Sequence, residues 1–296
     1  MIDTLPGPAS RVVTGFAHTC AQLTDGRIYC WGNNEYGEIG NGSTEKVVAT
    51  PSEVSFPGAK LPVGSLSTTR VVTCVIDGFD VFCWGGNEWG ELGPDVPIAV
   101  VDRPVKVKGL HGPGVFQVAV SWASVCAIVG GHRFVQCWGN NRWGQLGDGQ
   151  TFEWGKYGEA DVPHPEPRFV VQPELELPLD SVKTLNTGIG SHICANALPF
   201  FPEILCWGEN TRTELGVLEK GPFPRPVRTF AKSATQVETG DDHTCILRRE
   251  SDGFDISCWG QAKMGQVGDG LPPESERVQA TPARVRFPDR PGGLAA

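Results

Sequence analysis

Residues 126–149 read CAIVGGHRFVQCWGNNRWGQLGDG, and the reading of the whole chain starts from them. Cys126–Val129 is a short apolar run, Gly130-Gly131 is a turn signal, and the returning run closes on Cys137-Trp138-Gly139. Two apolar runs bent around glycines form a hairpin. The stretch after the tryptophan is rich in glycine and asparagine, the composition of tight turns between strands.

The same plan recurs outward in both directions. Aligning on Cys-Trp-Gly places tryptophans at 31, 84, 138, 207 and 259, spaced by 53, 54, 69 and 52 residues. A fixed period of this size marks a repeat architecture. A tryptophan at one register of every repeat reads as a core residue filling the space between neighbouring sheets. The first repeat sets the content of a unit: Arg11–Thr14, His18–Leu23, Arg27–Trp31 and a strand from Thr50. Four short strands in ~50 residues is the content of one propeller blade. The expected fold is an all-β propeller domain over 1–296, built of five recognisable four-stranded repeats. These fall at about 9–56, 57–109, 110–173, 174–230 and 231–287, with an insertion at about 150–166 and a tail from 288. The fourth repeat is the most eroded. Pro199–Pro202 replaces its Asp-Gly turn, and Thr213 stands where the other loops have glycine.

The ten cysteines fall into five pairs, Cys20/Cys30, Cys74/Cys83, Cys126/Cys137, Cys194/Cys206 and Cys245/Cys258. None is a C-x-x-C, which argues against a zinc knuckle or a thioredoxin-type site. Each pair flanks a turn, most clearly Asp25-Gly26, Asp77-Gly78 and Asp252-Gly253. Hairpin partners face each other at the short Cα separation a disulfide needs. Five intra-repeat disulfides are therefore expected, and with them an oxidising compartment: extracellular, cell-surface or periplasmic. The competing reading is ten reduced cysteines acting as small buried hydrophobes. The N-terminus MIDTLPGPAS lacks the basic and apolar regions of a signal peptide, so either the protein is cytosolic or Met1 opens a processed segment.

Composition bounds the partners. The formal charge of −9 argues against a general nucleic-acid or anionic-membrane surface. No apolar run approaches the ~18 residues of a membrane span. The glycine loops lack the Gly-Lys-Ser/Thr of a phosphate cradle. Asp148, Asp241, Asp242 and Asp269 lack alternating oxygen ligands and read as turn and solvent residues, so no metal or cofactor is expected. His18, His192 and His243 precede a cysteine by two residues, but Val72 and Ser124 fill that slot elsewhere, which favours a structural histidine fixing the turn. No nucleophile and base pair is evident, so no enzyme is expected.

The series G-x-x-H-T-C-A, C-W-G-x-N-x-x-G-x-L-G-x-G and T-P-x-x-V resembles the regulator of chromosome condensation repeat family, in particular its cysteine-paired bacterial form. The resemblance covers about residues 9–287. It implies a β-propeller, usually seven-bladed. Five repeats leave open a five-bladed ring, an incomplete arc or a segment of a larger protein. Because such propellers often join their terminal strands, Thr281–Phe287 and Arg11–Thr14 are expected in the same or adjacent blades.

Two register positions depart from the structural plan. Five residues after the core tryptophan stand Tyr36, Trp89, Trp143, Arg212 and Met264. Four residues before the first cysteine stand Phe16, Arg70, Trp122, Gly190 and Asp241. Aromatics and arginine in loops are the residue types of binding hot spots, and repetition gathers each set onto one rim. The competing reading packs them as spacers against the next blade. The expected function is a non-enzymatic, secreted or cell-surface scaffold that binds another protein, as a secreted bacterial propeller of this family inhibits an enzyme through aromatic loop residues. Tyr36, Trp89, Trp143, Phe16 and Trp122 are the candidates, with Trp154 of the insertion. The alternative is the family's guanine-nucleotide exchange on a small GTPase, with the insertion as the wedge. The sequence leaves an oligomer or larger assembly open.

Overall fold

The structure is a computed structural model that describes residues 5–56, 65–150, 162–197, 203–232, 234–251, 253–272, 274 and 276–287. Its regular structure is five antiparallel sheets, each of four strands in simple sequential order. The first sheet holds Ala9–Thr14, His18–Leu23, Ile28–Asn33 and Val47–Glu53. The others run from Leu66–Thr68 to Val101–Lys106, from Val115–Val120 to His164–Phe169, from Val182–Thr187 to Gly221–Lys232, and from Gln236–Thr239 to Val278–Arg284. Each is one blade, and the first strands of successive blades pack on one another, placing them on the inner side of the arc. Pro199–Pro202 and Asp252 lie outside the described residues.

The central hairpin of each blade is the one read from the cysteines. Cys20 faces Cys30, Cys74 faces Cys83, Cys126 faces Cys137, Cys194 faces Cys206 and Cys245 faces Cys258. All five pairs are disulfide-bonded, each with a Cα separation of 4.1 Å, and none of the ten is free. Between the second cysteine and the glycine two residues on, the ladder to the fourth strand shifts register in every blade. Cys-Trp-Gly is therefore a β-bulge. Its glycines, 32, 85, 139, 208 and 260, have φ of +101° to +112°, and a Cβ there would run into a carbonyl of the turn before the hairpin. Only glycine fits, which is why the dipeptide recurs.

The bulged tryptophan makes the joint between blades. Trp84, Trp138, Trp207 and Trp259 are fully buried. Each donates its indole N–H to a backbone carbonyl in the loop of the preceding blade: Glu38 at 2.8 Å, Glu91 at 2.7 Å, Gln145 at 2.9 Å and Glu214 at 2.8 Å. A large apolar surface leaves water and the one polar atom on it stays satisfied. The aliphatic cores lie in these same spaces, as where Leu146 and Trp207 pack with residues of the third and fourth blades.

Two expectations change. His18 and His192 act across the joint rather than on their own turns. His18 Nε2 lies 2.6 Å from Thr68 Oγ1 and 3.1 Å from Thr73 Oγ1 of the second blade, and His192 Nε2 lies 3.0 Å from Thr244 Oγ1 of the fifth. Burial lowers their pKa values, to about 4 and about 3, so both are neutral at ordinary pH. The terminal strands do not share a blade: Ala9–Thr14 is the inner strand of the first sheet and Val278–Arg284 the outer strand of the fifth. Among the described residues no hydrogen bond or ion pair joins these two sheets. Among the described residues the five blades therefore form an arc whose first and fifth sheets are not hydrogen-bonded to each other.

Candidate functional site

The loop after each core tryptophan is built to hold one side chain outward. Seven residues past the tryptophan stands Glu38, Glu91, Gln145, Glu214 or Gln266. In every blade this side chain accepts the backbone N–H of the residue two before it: Tyr36, Trp89, Trp143, Arg212 and Met264, at 2.8–2.9 Å. Asn34, Asn87, Asn141 and Asn210 brace the same loop from inside by accepting the N–H of Ile39, Leu92, Leu146 and Leu215. The variable residue thus rides on a backbone fixed at both ends. Glu91 and Glu214 are buried carboxyls whose pKa values burial pushes up to about 7. Sequence reasoning missed this brace, although the asparagine stood in the motif.

The turn before each hairpin supplies the second set, and these turns are stitched in a row. Phe16 N–H donates to Thr69 O, Thr69 Oγ1 donates to Ser121 O at 2.9 Å, and Trp122 N–H donates to Gly190 O at 3.2 Å. The Arg70 guanidinium lies 5.9 Å from the centre of the Trp122 ring, within cation–π range.

The two sets meet where the second blade lies between the first and third. Tyr36, Arg70, Trp89 and Trp122 line one open pocket of about 140 Å³ with Val71, Gly86, Glu88, Glu91 and Ala123. Tyr36, Trp89 and Trp122 are half-buried, so each packs on the fold and still shows an aromatic surface. Phe16, 76% exposed, extends the row beyond the pocket, and Met264 is 77% exposed. Trp143 is half-buried in the third loop, outside this pocket, and Trp154 lies outside the described residues. Arg70 and Glu88, not among the candidates read from the sequence, belong to the pocket.

Toward the fourth and fifth blades the same row turns acidic. Glu209 and Asp241 have raised pKa values, first from burial and then from neighbouring carboxylates that include Asp242. Asp148 and Asp269 instead fasten their own loops by pairing with Arg168 and Arg277 and accepting the N–H of Gln150 and Leu271. Among the described residues no cluster of three metal-ligating side chains occurs, and no helix is long and apolar enough to cross a membrane.

Sequence models described as Regulator of chromosome condensation (RCC1) repeat match residues 10–38, 25–73 and 203–247. The chain is 26% identical to the Ultraviolet-B receptor UVR8 of Arabidopsis thaliana, over 97% of this chain and 72% of the receptor. It is 28% identical to the Secretion-regulating guanine nucleotide exchange factor of Mus musculus, over 86% of this chain and 52% of that protein. Its fold superposes on Prp20p of Saccharomyces cerevisiae with a TM-score of 0.75 at 18% identity, covering 94% of this chain and 63% of that one. The chain therefore spans about half the length of the exchange factor and under two thirds of Prp20p. With five blades, a cysteine-paired hairpin in each and the Trp-to-loop joint between them, the chain carries repeats of the regulator of chromosome condensation (RCC1) type and is similar to proteins built from them.

Proposed function

We propose that the chain is a non-enzymatic scaffold that binds another protein through the row running from Phe16 through the Tyr36–Arg70–Trp89–Trp122 pocket. The observation that carries this is the convergence of two independent register positions on one partly open aromatic pocket. Half-buried aromatics beside an arginine form a pre-ordered patch that loses little entropy on binding. The acidic continuation at Glu209, Asp241 and Asp242 gives the row two ends of different charge, which orients a partner and speeds encounter. The five disulfides support a secreted or cell-surface setting. The doubly substituted chain Trp89→Ala/Trp122→Ala should keep its thermal transition and lose the partner that the unmodified chain captures, by about thirtyfold or more in affinity for two hot-spot residues. Retained binding, or loss of the folded state, overturns the assignment.

The likeness to a guanine nucleotide exchange factor favours a second reading, nucleotide exchange on a small GTPase. It predicts accelerated release of labelled GDP from at least one member of a GTPase panel, and no acceleration by the chain removes it.

A further inference from the structure

Two grooves between neighbouring outer strands are built to one plan, and the chain itself supplies acid to only one of them. The groove between the third and fourth blades has a volume of about 400 Å³, and its lining includes Pro173, Glu174, Arg225 and Arg228. The groove between the first and second blades has a volume of about 600 Å³, and its lining includes Glu53, Phe56, Arg103 and Pro104. The disulfide register aligns the two. Cys206 faces Val227 and Cys83 faces Val105, so Arg103-Pro104 stands where the fourth blade has Arg225-Pro226, and Lys106 stands where it has Arg228. The backbone agrees: Gly149 N–H donates to Pro224 O and Gly42 N–H to Asp102 O, both at 2.9 Å. Each of these glycines lets the arginine lie close, since a Cβ on Gly149 would meet the Arg225 guanidinium and one on Gly42 the Arg103 guanidinium.

Between the third and fourth blades the acid comes from residues 173–177, PELEL. Arg225 pairs with Glu176, and Arg228 donates to Glu174 at 2.6 Å while also pairing with Glu203 of its own blade. Backbone bonds fix this segment, as Gln172 N–H donates to Leu177 O at 2.8 Å and Leu179 N–H to Val170 O at 2.7 Å. The second groove has the cations without the acid. Lys106 pairs with Asp80 at 2.7 Å, as Arg228 does with Glu203. Arg103 has no ion-pair or side-chain hydrogen-bond partner among the described residues. Residues 54–65, VSFPGAKLPVGS, which link the first blade to the second, contain Lys60 but no Asp or Glu. Glu53, which lines this groove, is engaged from its own blade by the Tyr29 hydroxyl, which donates to it at 2.8 Å.

We propose that the groove between the first and second blades is a protein-docking site separate from the aromatic pocket, and that it takes an acidic segment of a partner with two carboxylates two residues apart. One carboxylate pairs with Arg103 as Glu176 does with Arg225, on a forked donor that carboxylates fit. The other reaches Lys106 as Glu174 reaches Arg228. Exposed ion pairs contribute little singly, so the ligand needs both acids and the apolar surface of Phe56 and Pro104 between them and the core. On a chain of net charge −9, a cationic groove fixes where such a segment lands.

The probe is the chain's own acidic segment as a free capped peptide, residues 171–178, VQPELELP, titrated calorimetrically into the full chain. It should bind saturably and bind less tightly as salt rises. The same peptide with Glu174→Gln and Glu176→Gln should bind about tenfold or more weakly. Arg103→Glu in the chain should weaken the unmodified peptide by a similar factor, and a peptide carrying Glu176→Lys should bind that variant more tightly than it binds the unmodified chain. Arg103 is exposed, so the variant should keep the native thermal transition, and Arg103→Gln should show the same loss without reversing the charge. No saturable binding up to about 1 mM peptide overturns the proposal, as does equal binding of the glutamine peptide. So does unchanged affinity in the Arg103 variants, which would place the peptide at Arg225 in exchange for the chain's own segment.

Discussion

Replacing Glu91 by glutamine tests the loop brace where its chemistry is most open to measurement. Glu91 is 2% exposed, and its carboxylate accepts the N–H of Trp89 while its carbonyl receives the Trp138 indole. The third and fifth blades place Gln145 and Gln266 in the same slot with the same acceptor geometry, so the amide fits. Burial raises the Glu91 pKa from 4.5 to about 7. The folded state therefore holds a proton that the unfolded state has released, and stability falls as pH rises from the unfolded value through the folded one. A shift of this size corresponds to about 3 kcal/mol as an upper figure. Glu91→Gln does not titrate. Its stability relative to the unmodified chain should be near zero at pH 4.5 and should rise by about 2–3 kcal/mol by pH 8. His18 and His192, whose lowered pKa values make acid destabilising below their unfolded value, act equally in both proteins and cancel in the difference. Urea unfolding at the two pH values measures it. Parallel pH profiles for the two chains would refute the reasoning, since they would mean that no uptake of a proton at Glu91 accompanies folding.

Thr213 occupies the loop position held elsewhere by glycine and adopts φ of 65°, a conformation costly for a β-branched residue. Thr213→Gly should raise stability by about 1 kcal/mol, which is the strain relieved less two offsets: the backbone entropy glycine adds, and removal of the hydrogen bond that the threonine hydroxyl donates to Arg212 O. A lower melting temperature in the variant would show that this hydrogen bond outweighs the strain. Intact mass after alkylation, with and without reduction, should find ten blocked cysteines before reduction and ten reactive ones after. Free thiols in protein recovered from its native source would contradict the oxidising compartment and favour the exchange reading.

How much of the fold and the pocket is legible in the sequence follows from the distance over which each feature is decided. The hairpins and their disulfides depend on residues 9 to 13 apart, and the alternation, turn glycines and paired cysteines state them locally. The core role of the tryptophans is legible because one residue type recurs at one register. The histidine role is not, because His18 meets Thr73 across 55 positions and the sequence shows each only beside its own cysteine. The pocket is half legible. Aromatic residues at two registers announce two rims, but Tyr36, Arg70, Trp89 and Trp122 meet only because the turn row and the loop row converge around the second blade. Trp143, at the same register as Trp89, stays outside that pocket because the next turn in the row offers Gly190 in the register of Trp122.

The same comparison explains why the ends of the arc carry information that the middle hides. In an inner joint Trp84 or Trp207 is buried, and its register alone accounts for it as core. At the first blade the identical residue, Trp31, sits on an identical bulge and keeps the same disulfide beside it, yet remains partly open. Nothing in its own repeat differs enough to explain this; what differs is the absence of a described loop in front of it. Gln266 shows the converse, a brace assembled to hold a carbonyl that receives no indole among the described residues. The bulge at Trp31 and the brace at Gln266 thus have the same local geometry as their counterparts in the inner joints. Each inner joint adds to these parts the burial of a tryptophan and one satisfied indole.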